Sequence, residues 1–301
     1  MAIFSTTNAK VLMPREIADG MIVKARTTST VAALSGREPM RFGDTDYIVF
    51  NDFPKAEFVE EGAQKGHTTG AFTSVTAKPH KAQVTMRFNQ EVMWADEDYQ
   101  LGVLKALADS GQIALSRALD LGLYHRINPL TGEQTSWENY LGATTKTVVH
   151  SSADADDDFR AAVGLLVAAG ESVNGAAFDP KFSWALSSLK VKDGSGATSQ
   201  QRYPQLGFGT NVTDFMGLPV SQGNTVSGVP EAADTNVRAI VGDFQNGIRW
   251  GVQRELPLEL IQFGDPDGQG DLKRQNQIAL RLEIVYGWYV FTERFALVKE
   301  A

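Results

Sequence analysis

The chain has no cysteine among its 301 residues. Disulfides, thiolate metal sites and a cysteine nucleophile are therefore excluded, and the absence fits a reducing cytoplasm. Histidine is scarce: His67, His80, His125 and His150 are scattered, with no HExxH and no close pair to suggest a metal site. No run of Lys and Arg occurs, and the formal net charge is −8. Binding to phosphate backbones calls for a basic face, so tight, sequence-specific nucleic-acid binding is not expected. Long apolar runs are missing too. The longest, Ala161 to Ala169, is broken by Gly164 and falls short of the roughly 20 residues a membrane helix needs. Met1 to Lys10 lacks the basic-then-apolar pattern of a secretory signal.

Catalytic signatures are equally thin. There is no Walker lysine motif and no Gly-x-Ser-x-Gly elbow, and Gly207-Phe-Gly209 lacks the third glycine of a dinucleotide loop. Asp154, Asp156, Asp157 and Asp158 lack the glycine turn and closing glutamate of a calcium loop, so they read as an acidic helix start. The run from Asp265 through Asp267 to Asp271 is a better calcium candidate, but a plain turn is the preferred reading. No cofactor, metal or catalytic residue is assigned, and the chain is not read as an enzyme.

What is there points elsewhere. At 43% hydrophobic and 21% charged, the composition is that of an ordinary globular protein. Residues 44–93 alternate apolar and polar side chains and fold back around Gly62, Gly66 and Gly70. Tyr47, Val49, Phe53, Phe58 and Val59 lie among charges on the way out, and Val84, Met86 and Phe88 alternate with polar residues on the return. An isolated two-stranded ribbon is marginal in water, and an exposed strand edge invites another chain. A ribbon with so little to bury against is expected to lie on a neighbouring copy.

Around it the chain divides into five spans. Residues 1–43 read as an extended arm that needs a partner surface, with a short helix near Pro14 to Lys24. The ribbon occupies 44–95. Leu104, Ala108, Gly111, Leu115, Ala118 and Gly122 then recur at helical spacing after the acidic Asp96 to Asp98. A helix from Asp96 to Arg126 would span about 45 Å and be stopped by Asn128-Pro129. Residues 129–150 are loop-rich, with Trp137 and Tyr140 as anchors. Residues 151–236 open with a helix whose buried stripe is Phe159, Ala162, Val163, Leu166, Val167 and Val173, and Lys192 to Tyr203 reads as an exposed loop. Residues 237–301 are β-rich, with Ile248, Trp250 and Val252 on one face of one strand and Ile278, Leu280, Leu282 and Ile284 on one face of another. Trp94, Trp184, Trp250 and Trp288 sit in apolar settings and are expected in the core.

Several motifs in this order resemble one family. Phe58-Val59-Glu60-Glu61-Gly62-Ala63-Gln64-Lys65 is similar to an aromatic–Val–x–Glu–Gly–x–x–Lys stretch in the extended loop of tailed double-stranded DNA bacteriophage major capsid proteins. Thr73 to Val92 resembles their returning strand, Leu115 to Asp120 the later half of their spine helix, and Ala239 to Phe244 the strand and turn that follow the inserted domain. Asn276 to Ala301 resembles the closing strands. The resemblance covers nearly the whole chain, with residues 129–236 matching in general character only.

It implies an α+β fold: an N-terminal arm (1–43), an extended β-ribbon loop (44–95), a peripheral domain with a long spine helix (96–150 and 237–301) and an inserted axial domain (151–236). It implies a shell protein that self-assembles as hexamers and pentamers into an icosahedral capsid around packaged DNA, built in the host cytoplasm, with a portal, a decoration protein and no membrane. Some relatives carry a long scaffolding segment before the loop. Only 43 residues precede it here, so scaffolding is expected from a separate protein. Lys55, Glu60, Glu61 and Lys65 are the loop charges expected at the subunit interface, with Arg249 and Arg254 as their partners on a neighbour. Some relatives also form a Lys–Asn isopeptide crosslink promoted by a Glu. Lys65, Asn276 and Glu283 are the residues here, but Gly62 takes the expected place of the lysine. The plainer reading has Asn276 capping a turn and Glu283 facing an Arg. An encapsulin-type compartment holding enzyme cargo shares the fold, but the arm favours the phage reading, because those shells usually start with a cargo-binding helix.

Overall fold

The computed structural model describes residues 29–50, 56–62, 64–67, 72–94, 97–151, 154–193, 196–255 and 258–301. The helix expected near Pro14 to Lys24 lies outside them, as does Lys55. A short helix, α1 (Thr30–Leu34), comes first, capped by Ser29, whose Oγ accepts from the Ala32 amide at 3.0 Å. Strands β1 (Thr45–Phe50) and β2 (Phe72–Asn89) precede the spine helix α2 (Glu97–His125). Next come β3 (Thr147–Val149), α3 (Ala155–Ala168), β4 (Gly175–Phe178) and α4 (Pro180–Ser188). A hairpin of β5 (Lys190–Asp193) and β6 (Gly196–Gln201) follows, then β7 (Asp214–Phe215) and β8 (Leu218–Gln222). The chain closes through β9 (Val237–Gly242), the single turn α5 (Phe244–Gly247), β10 (Ile248–Glu255), β11 (Glu259–Ile261), β12 (Gln277–Val290) and β13 (Phe295–Lys299).

The first sheet runs β1-β2-β12-β10, with β11 also paired to β12. Its backbone is the long antiparallel pairing of β2 with β12, from Lys78 opposite Trp288 to Asn89 opposite Gln277. The return side of the predicted ribbon is thus only partly free. Val84, Met86 and Phe88 stand opposite Leu282, Leu280 and Ile278 in the protein's own sheet, because both runs share a period of two. The spine helix lies on this sheet. A side chain at Gly111 would collide with Leu282 and approach Met86 to 3.2 Å, so the missing Cβ sets how closely helix and sheet meet. The Tyr286 hydroxyl donates to the Leu115 carbonyl at 3.0 Å across the same seam. The helix ends at His125, and Arg126 turns into the left-handed region with φ 52°.

The second sheet has the order β3-β13-β9-β4-β8-β7 and takes strands from both sides of residue 236. β4 and β9 are buried along their whole length, as expected for near-continuous apolar runs covered on two faces. On one face Phe159, Phe178, Phe182 and Phe215 pack edge to face under α3 and α4. On the other, Ile240, Leu297, Phe244 and Phe295 share a core with α1 and the end of α2.

Several expectations change. Residues 29–34 do not wait for a partner: Ser29, Thr30 and Val31 are buried within the chain's own fold. Lys192 to Tyr203 is mostly the β5–β6 hairpin. It ends on α3, where the buried Asp156 accepts from Arg202 at 2.7 Å and from the Tyr203 hydroxyl at 2.8 Å. Val167 is exposed, although Phe159, Ala162 and Leu166 are buried as predicted. Trp94 and Trp184 are also exposed, whereas Trp250 and Trp288 are core residues. Local apolar context does not reveal which side of an element faces inward.

One buried carboxylate holds the junction. Asp120 on α2 is fully buried and accepts five hydrogen bonds: from Ser29 Oγ, the Thr30 amide at 2.8 Å, Thr30 Oγ1 at 2.9 Å, the Val31 amide at 3.2 Å and Thr225 Oγ1 at 2.7 Å. It also satisfies amides at the start of α1 that have no partner within that helix. Burial pushes its pKa above the ordinary carboxylate value, and the donors pull against that. Asp120→Ala would leave these donors buried and unpaired. The expected cost is on the order of 3–5 kcal/mol in urea unfolding, and Asp120→Asn should lose less. A loss no larger than that of a surface substitution would contradict this role.

Two histidines are held neutral. His125 is buried with Nε2 2.8 Å from the Val226 carbonyl, and burial lowers its pKa to about 4. His80 stacks on Trp288 at 3.9 Å and tilts against Trp137 at 4.3 Å, and burial lowers it to about 4 as well, with Lys78 adding to the effect. The unfolded chain takes up these protons near pH 6.5, but the folded chain does so only near pH 4. Stability is therefore predicted to fall as pH drops through that window, by about 3 kcal/mol for His125 alone. Thermal unfolding of the unassembled chain against pH should show this slope, and His125→Gln should flatten it.

Candidate assembly interface

The extended loop has a fixed base and a bare tip. β1 pairs with the first part of β2, from Thr45 opposite Ala77 to Phe50 opposite Phe72. At the base, the Tyr47 hydroxyl donates to Glu38 at 3.2 Å, and Glu38 also takes the Arg249 guanidinium of β10. Burial, with help from Glu38, pushes the Tyr47 pKa up to about 12. Gln253 of β10 clamps Gly43 from both sides, donating to its carbonyl at 2.8 Å and accepting from its amide at 3.1 Å. Arg37 reaches Glu255 at 3.3 Å. The loop therefore leaves the body in a set direction.

Beyond the base none of the described residues covers it. Residues 56–62 and 64–67 are exposed. Phe58 is fully exposed, and Phe42, Ile48, Val59 and Phe72 also present apolar surface. Such a cluster on a projecting element marks a contact surface. Among the described residues β1 ends the sheet, which leaves one of its edges unpaired by them.

The predicted charges divide into two groups. Glu60, Glu61 and Lys65 are exposed and make no ion pair among the described residues. Arg254 is likewise exposed and unpaired among them, whereas Arg249 is already held by Glu38 in its own chain. The sequence could not show that partner, which lies 211 positions away.

The crosslink residues are not gathered within one chain. Asn276, just before β12, and Glu283 within it lie seven positions apart, roughly 23 Å at strand spacing. The Asn276 side-chain amide donates to Glu91, and Glu283 pairs with Lys81 at 2.9 Å, not with an arginine. Asn276 does sit in a turn, with φ 54°. The turn near Asp265 is closed by Arg87, which binds Asp265 at 3.0 Å, Asp267, and the Gly270 carbonyl at 2.9 Å. Those carboxylates serve a guanidinium. Among the described residues no group of three His, Asp or Glu side chains is arranged to hold a metal ion.

An antiparallel sheet with a spine helix across it, a second core around a mixed six-stranded sheet and an anchored ribbon define a shell-building protein. Residues 9–298 match the phage capsid family, and the chain belongs to that family. It is a major capsid protein, a structural component of the virion shell. A solved structure from Mycobacterium phage Ogopogo is 42% identical, covering 91% of this chain and 92% of that one, with a TM-score of 0.80. One from Gordonia phage Cozz is 29% identical, covering 91% and 87%, with a TM-score of 0.79. The fold is also shared with the capsid of a native GTA particle computed with C5 symmetry, at 17% identity, 92% and 91% coverage and a TM-score of 0.59. No curated protein matches the chain. The encapsulin reading is not favoured.

If the tip's apolar surface serves contact between copies, it contributes nothing to the single chain. Phe58→Ser is expected to leave the unfolding free energy of the unassembled protein within about 0.5 kcal/mol of the parent. A larger loss in urea unfolding would show that the loop folds onto its own body.

Proposed function

We propose that copies of this protein close into an icosahedral shell of hexamers and pentamers around packaged double-stranded DNA. The observation that carries this reading is the loop: a base fixed by Glu38, Arg249 and Gln253, and a tip whose Phe58, Val59, Glu60, Glu61 and Lys65 are left exposed by the described residues. The tip lies on a neighbour's body, where Arg254 is the available cation. Each exposed ion pair is worth only roughly 0–1 kcal/mol, but a shell repeats it many times. In the same reading the five spans act as arm, loop, peripheral domain, inserted axial domain and closing strands. Scaffolding comes from a separate protein, and a portal and a decoration protein join the shell, which assembles in the host cytoplasm. An acidic chain beside DNA repels the phosphates, so the genome stays free to leave. The role is structural, with no catalytic step assigned.

The test combines sedimentation with negative-stain imaging of the purified protein, alone and with a scaffolding partner. Closed shells or rings are expected, and a stable dimer that never grows further would overturn the reading. Glu60→Lys combined with Glu61→Lys should reduce shell yield severalfold while leaving a folded chain. Unchanged assembly would remove these residues from the interface. On a denaturing gel the shells are expected to dissolve into 32.7 kDa chains. A covalent ladder would instead favour the Lys65–Asn276 bond.

A further inference from the structure

Only two asparagines in the chain, Asn174 and Asn246, are followed by glycine. An Asn-Gly pair readily loses its side-chain amide, because a residue without a Cβ lets its backbone nitrogen approach the asparagine Cγ. Asn174 stands just before β4 and Asn246 lies in α5, far along the chain, yet both side chains end on one carboxylate. The buried Asp243 accepts from Ser172 Oγ at 2.9 Å, from the Asn174 side-chain amide, and from the backbone and side-chain amides of Asn246 at 3.0 and 3.1 Å. Burial pushes its pKa up, but these hydrogen bonds outweigh that and leave it below the ordinary carboxylate value. Asp243 is therefore ionised, an acceptor for every donor around it.

The same residue restrains both reacting groups at Asn246. Ring closure needs the Gly247 nitrogen to attack the Asn246 Cγ. That nitrogen instead donates to the Asp243 carbonyl at 2.8 Å, while the Asn246 side chain is turned onto the Asp243 carboxylate. Asn174 is held at both ends of its amide: Nδ2 donates to Asp243, and Oδ1 accepts from the Phe244 amide at 2.8 Å. Its backbone amide donates to the Gly242 carbonyl at 3.1 Å, tying the start of β4 to the end of β9. Close packing accounts for both glycines. A Cβ at Gly247 would come within 2.7 Å of the Phe295 ring, and one at Gly175 within 3.2 Å of the Phe244 ring.

We propose that Asn174 and Asn246 are the deamidation sites of this chain, and that Asp243 is the positioning residue that keeps them intact. When a local opening releases an asparagine, the following glycine nitrogen attacks its Cγ. The new C–N bond closes a succinimide, and the side-chain nitrogen leaves as ammonia with the glycine N–H proton. Water then opens one of the two ring C–N bonds, giving aspartate, or isoaspartate with the backbone rerouted through the side chain. Water is the only other reactant, and the loss of ammonia makes the step one-way. Either product sets a second carboxylate beside buried Asp243, where like charges repel. The cap of α5 and the tie between β4 and β9 are then lost together. Asn246 is exposed, so it converts first. The clamp belongs to the single chain and operates with or without a shell.

The full chain is kept in mildly alkaline buffer at physiological temperature, sampled over weeks and digested. Mass spectrometry then follows the peptides carrying residues 174 and 246, since an amide that becomes an acid gains mass. Asp243→Ser keeps a residue that caps helices but presents one oxygen in place of two. It is expected to raise conversion at both asparagines severalfold. Ser172→Ala removes a hydrogen bond from the same carboxylate and leaves both amides on it, so it should convert at the parental rate. Unchanged conversion in Asp243→Ser would overturn the proposal. An equal rise in Ser172→Ala would overturn it too, because lost stability would then be the cause. If Asp243→Ser does not fold, the parent chain in urea supplies the comparison, and conversion at both sites should be severalfold faster there than in the native chain. Equal rates at Asn246 in urea and in the native chain would show that nothing restrains it and would overturn the proposal.

Discussion

A carboxylate removed from water needs donors wherever it can find them, and Asp120 finds them far away in the sequence. Its partners are the Ser29 hydroxyl, the hydroxyl and amide of Thr30, the Val31 amide and the Thr225 hydroxyl, 89 to 105 positions distant. Satisfying one ionisable group thus ties the spine helix to the segment that precedes the loop and to the segment that precedes β9. Tyr124, one turn further along α2, adds its hydroxyl to Thr30 at 2.9 Å. The two sheets meet at this junction, and the core around Leu119, Leu123, Phe244 and Trp288 closes over it. Without those donors the carboxylate would be an uncompensated buried group, and the start of α1 would lose its cap.

The loop inherits its direction from this arrangement. Once residues 29–34 are held, Arg37 and Glu38 run beside β10, and Glu38, Gln253 and Arg249 fasten the approach to β1. The strong contacts are concentrated at the base, while the described tip residues leave their apolar and charged side chains exposed. Under the proposed assembly, the apolar residues of this element gain burial only when a neighbour covers them. On α3 the inner line of Phe159, Ala162 and Leu166 is buried in the second core, while Leu165 and Val167 are left exposed by the described residues.

Much of the fold could be read from the sequence where the signal is local. The spine helix was predicted from Asp96 to Arg126 and runs from Glu97 to His125, since small and apolar residues recur at helical spacing over many turns. The strand faces of Ile248, Trp250 and Val252, and of Ile278, Leu280 and Leu282, followed from alternation, and the turn near Asp265 from its glycine and proline. Other expectations failed where the deciding partner was remote. Ser29 and Thr30 look like the tail of a polar arm until Asp120 is placed beside them. Trp94 and Trp184 look like core residues until their helices are docked with those faces outward.

The proposed interface is legible in the same partial way. Glu60, Glu61 and Lys65 stand out in the sequence because they crowd a glycine-rich tip, and they are exposed there. Arg249 was picked for its charge, which Glu38 already holds, and that pairing depends on how β10 lies beside residues 37 and 38. By itself the sequence determined the periodicities, the helix caps, the projecting ribbon and the absence of thiol chemistry, all of which rest on neighbours a few residues apart. Tertiary structure alone decided which charges are already paired, which aromatics face outward and where the buried carboxylate finds its donors. The pairing of Arg249 with Glu38 and of Asp120 with its donors joins segments 89 to 211 positions apart, and no local pattern encodes that distance.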